Sequence, residues 1–242
     1  MAQPNDSAPG GRLYIVSTPI GNLEDITLRA LRILKEADLV CAEDTRVTGR
    51  LLAHYQIKNT LLSYHSYNEA ARIPQILNYL KEGRQIALVS DAGTPGISDP
   101  AHKLVKAAIA AGAPVEPLPG PTASIAALVA SGLPTDRFVF EGFLPRKKGR
   151  QTRLKFLSEE PGTIILYESA PRIQKTIEDI VKNFGNRYIV ISRELTKKFE
   201  EFIRGDAGEV LQTLKTRSLK GEIVLLIAGT EYRHLTPLQR ES

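Results

Sequence analysis

Strand-like and helix-like segments alternate five times in the first 130 residues, and this limits the fold more than any other feature of the chain. Apolar runs of β character are expected at residues 13–17, 38–43, near 61, 84–90 and 114–118. Each is followed by an amphipathic segment of helical period, at residues 28–37, 47–55, 73–81, 101–111 and after 122. Strands that take turns with helices need crossovers, so the expected product is a parallel, helix-covered sheet. The pattern changes after about residue 142. Strand-like runs at 164–167, 188–193, 199–204 and 222–227, with helices near 173–184 and 209–217, predict a smaller mixed α/β domain. The expected organisation is a disordered tail over residues 1–11, an N-terminal α/β domain over 12–142, a C-terminal α/β domain over 143–232 and a tail over 233–242.

Three of the predicted strands leave through stiff turns. "STPIGNLEDITL" follows the first, "SDAGTPGISDP" the fourth and "EPLPGPTASIAAL" contains the end of the fifth. In a parallel sheet these turns gather at one edge, where open α/β sheets bind ligands. Neither G-x-G-x-x-G nor G-x-x-x-x-G-K-[ST] occurs, so a dinucleotide or nucleoside triphosphate lacks its usual backbone cradle. Turns of this kind suit a neutral or zwitterionic ligand, with Asp91 accepting from a hydroxyl or pairing with an ammonium. A turn-forming role for Asp91 is the alternative. The second strand ends in "CAEDTRVTGR", which brings Glu43 and Asp44 beside Arg46. These acids either face a substrate hydroxyl or simply favour a helix N-terminus. His65 lies in "SYHSYNE", and the other histidines show no metal-ligand spacing, so no metal site is expected.

The formal charge is +5, from 32 basic and 27 acidic residues, and the excess is clustered. Arg146, Lys147, Lys148, Arg150, Arg153 and Lys155 fall within "PRKKGRQTRLK", a loop-like stretch around Gly149 that points to an anionic partner. Cys41 is the only cysteine and sits in an apolar run, which leaves no pair for a disulfide. No apolar stretch reaches the roughly 18 to 20 residues of a membrane span, and the first residues do not read as a signal peptide. A soluble, cytoplasmic protein without a membrane partner is expected.

Taken in order, "TPIGNLEDIT", "AEDTR", "SDAGTPGISDP", "PGPTA", "GFLPRK", "YESAPR", "RELTK" and "GEIVLLI" resemble the tetrapyrrole methylase superfamily, within it the branch that acts on ribosomal RNA. The resemblance spans residues 13–229. It implies two α/β domains with S-adenosylmethionine in the cleft between them, and a homodimer. The implied activity is 2'-O-methylation of a cytidine ribose in 16S rRNA of the small ribosomal subunit, in its decoding region. Carried over by motif, the cofactor contacts fall on Pro19 and Ile20, on Asp91, Gly93 and Thr94, on Thr122 and Ala123, and in the second domain on Glu168 and Gly205. Glu43, Asp44 and His65 are the candidates for taking the hydroxyl proton. RNA contacts are expected from Arg46, Arg146, Lys147, Lys148, Arg150, Arg193 and Lys197.

Two spellings separate this chain from the porphyrin-modifying members. Ser17-Thr18-Pro19 stands where they carry a glycine-rich loop, and Ser90-Asp91-Ala92 replaces their Gly-Asp-Pro turn. Methylation of a tetrapyrrole carbon is the competing enzymatic reading. A noncatalytic RNA-binding assembly factor is the competing reading from another class.

Overall fold

A computed structural model describes residues 10–232. The tail expected at 233–242, and residues 1–9 of the one expected at 1–11, lie outside the described residues. Gly11 departs from the tail expectation: its N–H donates to the Leu80 carbonyl at 3.1 Å, and a Cβ on it would come within 2.2 Å of that oxygen.

The chain divides into two compact units between Thr122 and Ala123. In the first, β1 (Arg12–Val16), β2 (Leu39–Ala42), β3 (Leu61–Ser63), β4 (Gln85–Val89) and β5 (Val115–Leu118) form a sheet in the order β3-β2-β4-β1-β5. Every pairing is parallel, as the alternation predicts. Helices α1 (Leu28–Glu36), α2 (Thr45–His54), α3 (Glu69–Lys81) and α4 (His102–Ala110) connect them. Two apolar clusters result. One gathers Leu13, Ile76, Leu80, Ile86, Leu88 and Leu104, and the other Val16, Ile33, Leu34, Val40, Leu52 and Val89. Each fully buried aliphatic side chain there contributes about 1.5–3 kcal/mol. Helix α1 starts where expected because Thr27 accepts from the Ala30 N–H at 3.0 Å, and it buries Ala30, Ile33 and Leu34 on one stripe.

The register sets the site. Ala42 is paired with Val89, and Val16 with Leu118, so β2, β4, β1 and β5 all end at the same edge.

The second unit opens with α5 (Ala123–Val129) and contains β6 (Phe138–Phe143), α6 (Arg150–Leu157), β7 (Thr163–Ser169), α7 (Ala170–Phe184), β8 (Tyr188–Arg193), β9 (Glu201–Asp206), α8 (Ala207–Thr216) and β10 (Glu222–Ile227). Its sheet runs β6-β7-β10-β8-β9, with β6 and β7 parallel and the other pairs antiparallel. The sequence places the boundary near residues 142–150, but β6 hydrogen-bonds to β7 and α5 packs against β7 and β10, so both elements belong here. Between Phe140 and Gly142 the β6 register shifts by one residue, and Gly142 takes φ +70° to allow it. The strand expected at 199–204 runs two residues later, after a loop in which Glu194 and Thr196 both adopt left-handed φ, 50° and 65°. Leu154, Leu157, Ile177, Ile180, Ile189, Ile191 and Leu225 form the core of this unit.

Candidate functional site

The three stiff turns are joined to one another in the first unit. Thr18 and Gly93 exchange backbone hydrogen bonds at 2.9 and 3.0 Å, which zips the turn after β1 to the turn after β4. The Thr18 hydroxyl also donates to the Ser90 carbonyl at 3.2 Å. A row of hydroxyls then reaches the third turn: Ser17 Oγ lies 2.9 Å from Thr94 Oγ1, which lies 2.7 Å from Thr122 Oγ1 and 3.0 Å from the Pro121 carbonyl. Glycine is required twice. Gly93 has φ +80°, with Ile20 Cγ2 and the Pro121 carbonyl at 3.4 and 3.6 Å from where a Cβ would stand, and a Cβ on Gly120 would come within 2.6 Å of Ser17 Cβ. Of the expected contacts, Pro19, Ile20, Asp91, Gly93, Thr94 and Thr122 therefore share this edge. Ala123, the next residue, opens α5 in the second unit.

Beside the turns, the ends of β2 and β4 carry the acids. Asp91 Oδ1 accepts from the Asp44 N–H at 3.0 Å, and Glu43 Oε2 accepts from the Asp91 N–H at 3.4 Å. Asp44 does the helix work: it caps α2, accepting from the Arg46 N–H at 2.8 Å, and it holds the Arg46 guanidinium at 2.6–3.2 Å. Those bonds hold its carboxyl well below the usual carboxylate range, which leaves it a poor proton acceptor. Glu43 goes the other way. Burial raises its carboxyl above the usual value, opposed by the Asp91 N–H and reinforced by the Asp91 charge. Burial similarly raises Asp91.

His65 stands next to this group, since Tyr64 N–H donates to the Ala42 carbonyl immediately before Glu43. Its backbone N–H donates to Asn68 Oδ1 at 2.8 Å, its Nε2 lies 3.2 Å from Asn68 Nδ2, and its buried Nδ1 has no hydrogen-bond partner among the described residues. The groups gathered at this edge are hydroxyls, carbonyls and carboxylates. They fit a ligand that carries hydroxyls and positive charge, as a sulfonium amino acid nucleoside does, and they form no anion cradle.

Asp99, the second acid of the turn after β4, belongs to the same cluster, because its carboxyl feels the charges of Glu43 and Asp91. Ser98 in front of it adopts φ +71°, a left-handed conformation that a non-glycine residue takes at a cost. The Asp99 carboxyl is pushed up to about 6, first by burial and then by the charge of Glu43, against a hydrogen bond from Ser90. A carboxyl raised by folding stabilises the fold while protonated, and that contribution is lost as pH rises through about 6. Asp99→Asn should therefore gain on the parent by about 1 kcal/mol between pH 4.5 and 7.5, a value reduced for solvent screening of a part-exposed group. Thermal melts at the two pH values check this, and an equal difference at both would remove Asp99 from the cluster.

In the second unit several of the expected residues have partners within the unit. Glu168 is buried and its oxygens are taken: Oε2 accepts from Thr176 Oγ1 at 2.6 Å, Oε1 from the Ser169 N–H at 2.8 Å, and Arg172 lies 3.4 Å away. Its side chain holds the β7–α7 turn. Gly205 sits in β9 opposite Ile189. Arg150 is not a surface cation, because it is 7% exposed, with Nε 2.8 Å from Asp179 Oδ2, Nη2 2.9 Å from Thr176 Oγ1 and Nη1 3.3 Å from the Pro145 carbonyl. Arg193 is committed to Glu201 and the Lys220 carbonyl, and Lys197 bridges Glu194 and Glu222 at 3.0 and 2.8 Å. Both cations are thereby engaged within the unit. Arg46 keeps an exposed guanidinium, although Asp44 holds it. Arg146, Lys147 and Lys148 are exposed, and among the described residues no carboxylate pairs with them.

The sequence profile described as Tetrapyrrole (Corrin/Porphyrin) Methylases matches residues 12–211. "Ribosomal RNA small subunit methyltransferase I" of Escherichia coli O157:H7 is 52% identical over 223 residues, covering 90% of this chain and 78% of the relative. The protein of the same name from Halalkalibacterium halodurans is 50% identical over 220 residues, covering 90% and 76%. Among solved structures, the methyltransferase CobJ superposes with a TM-score of 0.69 at 22% identity, over 94% of this chain and 98% of that one, a likeness of fold. With its parallel sheet, its three joined turns and a profile match over most of its length, the chain belongs to the tetrapyrrole (corrin/porphyrin) methylase family.

Proposed function

We propose that this chain is an S-adenosylmethionine-dependent methyltransferase of small-subunit ribosomal RNA, and that its acceptor is the 2'-hydroxyl of a cytidine ribose in 16S rRNA. The observation that carries the reading is about 50% identity to small-subunit rRNA methyltransferases over nine-tenths of the chain. S-adenosylmethionine supplies a methyl group on a sulfonium, an electrophile whose departure leaves a neutral thioether. Pro19, Ile20, Asp91, Gly93, Thr94 and Thr122 would hold it, using the hydroxyl row and the turn carbonyls. The protein's own task is then to fix the acceptor oxygen in line and to receive its proton. Glu43 suits the second role, because its raised carboxyl is a better proton acceptor than the Arg46-bound Asp44. His65, two residues beyond the end of β3, which pairs with β2, is the second candidate, with a buried Nδ1 that has no hydrogen-bond partner among the described residues. A homodimer in the cytoplasm is part of the same proposal. Among the described residues no helix is long and apolar enough to cross a membrane.

The test is transfer of labelled methyl to small subunits lacking the modification, with free rRNA and a uroporphyrinogen-type tetrapyrrole as parallel acceptors. Label in the RNA that protects the adjoining linkage from alkali is expected. Label in the tetrapyrrole alone would overturn the reading.

A further inference from the structure

Loop and helix in the second unit enclose a groove of about 910 Å³ between residues 146–151 and α7. Six basic side chains line it: Arg146, Lys147, Arg150, Arg172, Lys175 and Lys182. Only two carboxylates, Glu178 and Asp179, share the lining. Arg172, Lys175 and Lys182 lie at positions i, i+3 and i+10 of α7, which puts them on one face over about 15 Å of helix. Lys175 is 69% exposed, and Lys182 is exposed with no carboxylate partner among the described residues. The helix also points its positive end toward the loop side, at Ser169, whose side chain makes no capping bond.

What makes the groove electropositive is the charge beneath it. Arg150 is buried under the loop and occupies Asp179 at 2.8 Å, while Arg172 lies against the buried Glu168 at 3.4 Å. Asp179 is thus shared between the buried Arg150 and Lys175 at 3.3 Å, Lys175 also lies 3.5 Å from Glu178, and Arg146, Lys147 and Lys182 face solvent with no carboxylate partner among the described residues.

We propose that this groove is a phosphate track for the RNA substrate, in which Lys175 and Lys182 of α7 continue the line of cations begun by Arg146 and Lys147. The inference rests on the rRNA reading above and extends it to Lys175 and Lys182, two lysines that no motif marked. Phosphate contacts supply affinity and orientation and leave base choice to other groups. Each lysine that releases a counterion contributes to the salt slope of binding, so losing one should reduce that slope by about 1.

The experiment is titration of a fluorescent 16S rRNA fragment, spanning the decoding region, into the full chain at several salt concentrations. The parent, the double variant Lys175→Gln/Lys182→Gln and a control, Lys35→Gln/Lys106→Gln, with two exposed lysines of the first unit, are compared. The groove double should bind more weakly and lose about 2 from the salt slope. The control should match the parent, and S-adenosylmethionine affinity should be equal in all three, which verifies folding. A groove double with the parent's slope would overturn the proposal, and so would equal losses in both doubles, which would reduce the effect to net charge. Because binding is read without methyl transfer, failure of the parent to methylate RNA tells against the function while leaving the groove's test intact.

Discussion

Arg150→Ala is expected to destabilise the protein by about 3–5 kcal/mol, the cost of breaking a buried ion pair by removing one partner. Its guanidinium reaches Asp179, Thr176 and the Pro145 carbonyl at once, and Thr176 passes the connection to Glu168 at 2.6 Å. Taking it away leaves Asp179, whose side chain is 6% exposed, with Lys175 at 3.3 Å as its nearest remaining cation. For a chain of this length, 1 kcal/mol moves the melting temperature by about 2–4 °C, so a fall on the order of 10 °C should be seen in a thermal melt. Arg150→Lys should lie between, because an ammonium keeps the charge and loses the planar fork that reaches three acceptors. A loss below about 1 kcal/mol for the alanine variant would mean that the network contributes little. The same residue, read from the sequence as a direct RNA contact, is held by this buried network beneath the loop.

Glu43→Gln should lower kcat by about 100- to 1000-fold, within the range that one positioned general base supplies. Affinity for S-adenosylmethionine should stay within a few-fold of the parent, since the glutamine amide oxygen can still accept from the Asp91 N–H and the turns are fastened by their own hydrogen bonds. The pH profile gives the sharper reading. In the parent, kcat/KM should rise as the carboxyl ionises and then level off. Burial raises Glu43, so the rising limb should lie above the usual carboxylate range. Asp99 sits close enough for its own ionisation, at about 6, to shape the same limb, and the pair would titrate as one system. In the glutamine variant the limb should vanish with the activity. Retention of a third or more of the parent's kcat would assign the proton to another acceptor, with His65 the next to test.

The first sheet was legible because its physics is local. A strand covered on both faces is an unbroken apolar run, a helix between sheet and solvent is an amphipathic one, and both show in windows of a few residues. The stiff turns were legible for the same reason, since Pro and Gly restrict the backbone wherever they stand. What escaped depends on partners far along the chain. Residues 138–143 look alike as a last strand of one sheet or a first strand of the next, and only the pairing of Val139 with Ile164 decides. Arg150 belongs to a run of cations by sequence and to a buried network by structure, because Asp179 is 29 residues away. Asp99 joins Glu43 through a left-handed Ser98 and a neighbouring strand end, neither of which a short motif discloses.

The joined turns also bear on how a ligand arrives. Ser17, Thr94 and Thr122 are 77 and 28 residues apart in sequence along their two bonds, yet they and the Thr18–Gly93 pair fasten three loops into one body. Conformational freedom of those loops is surrendered when the sheet folds, before any ligand is present. Association at this edge should then follow encounter, with little lag for loop ordering, and release should depend on contacts broken.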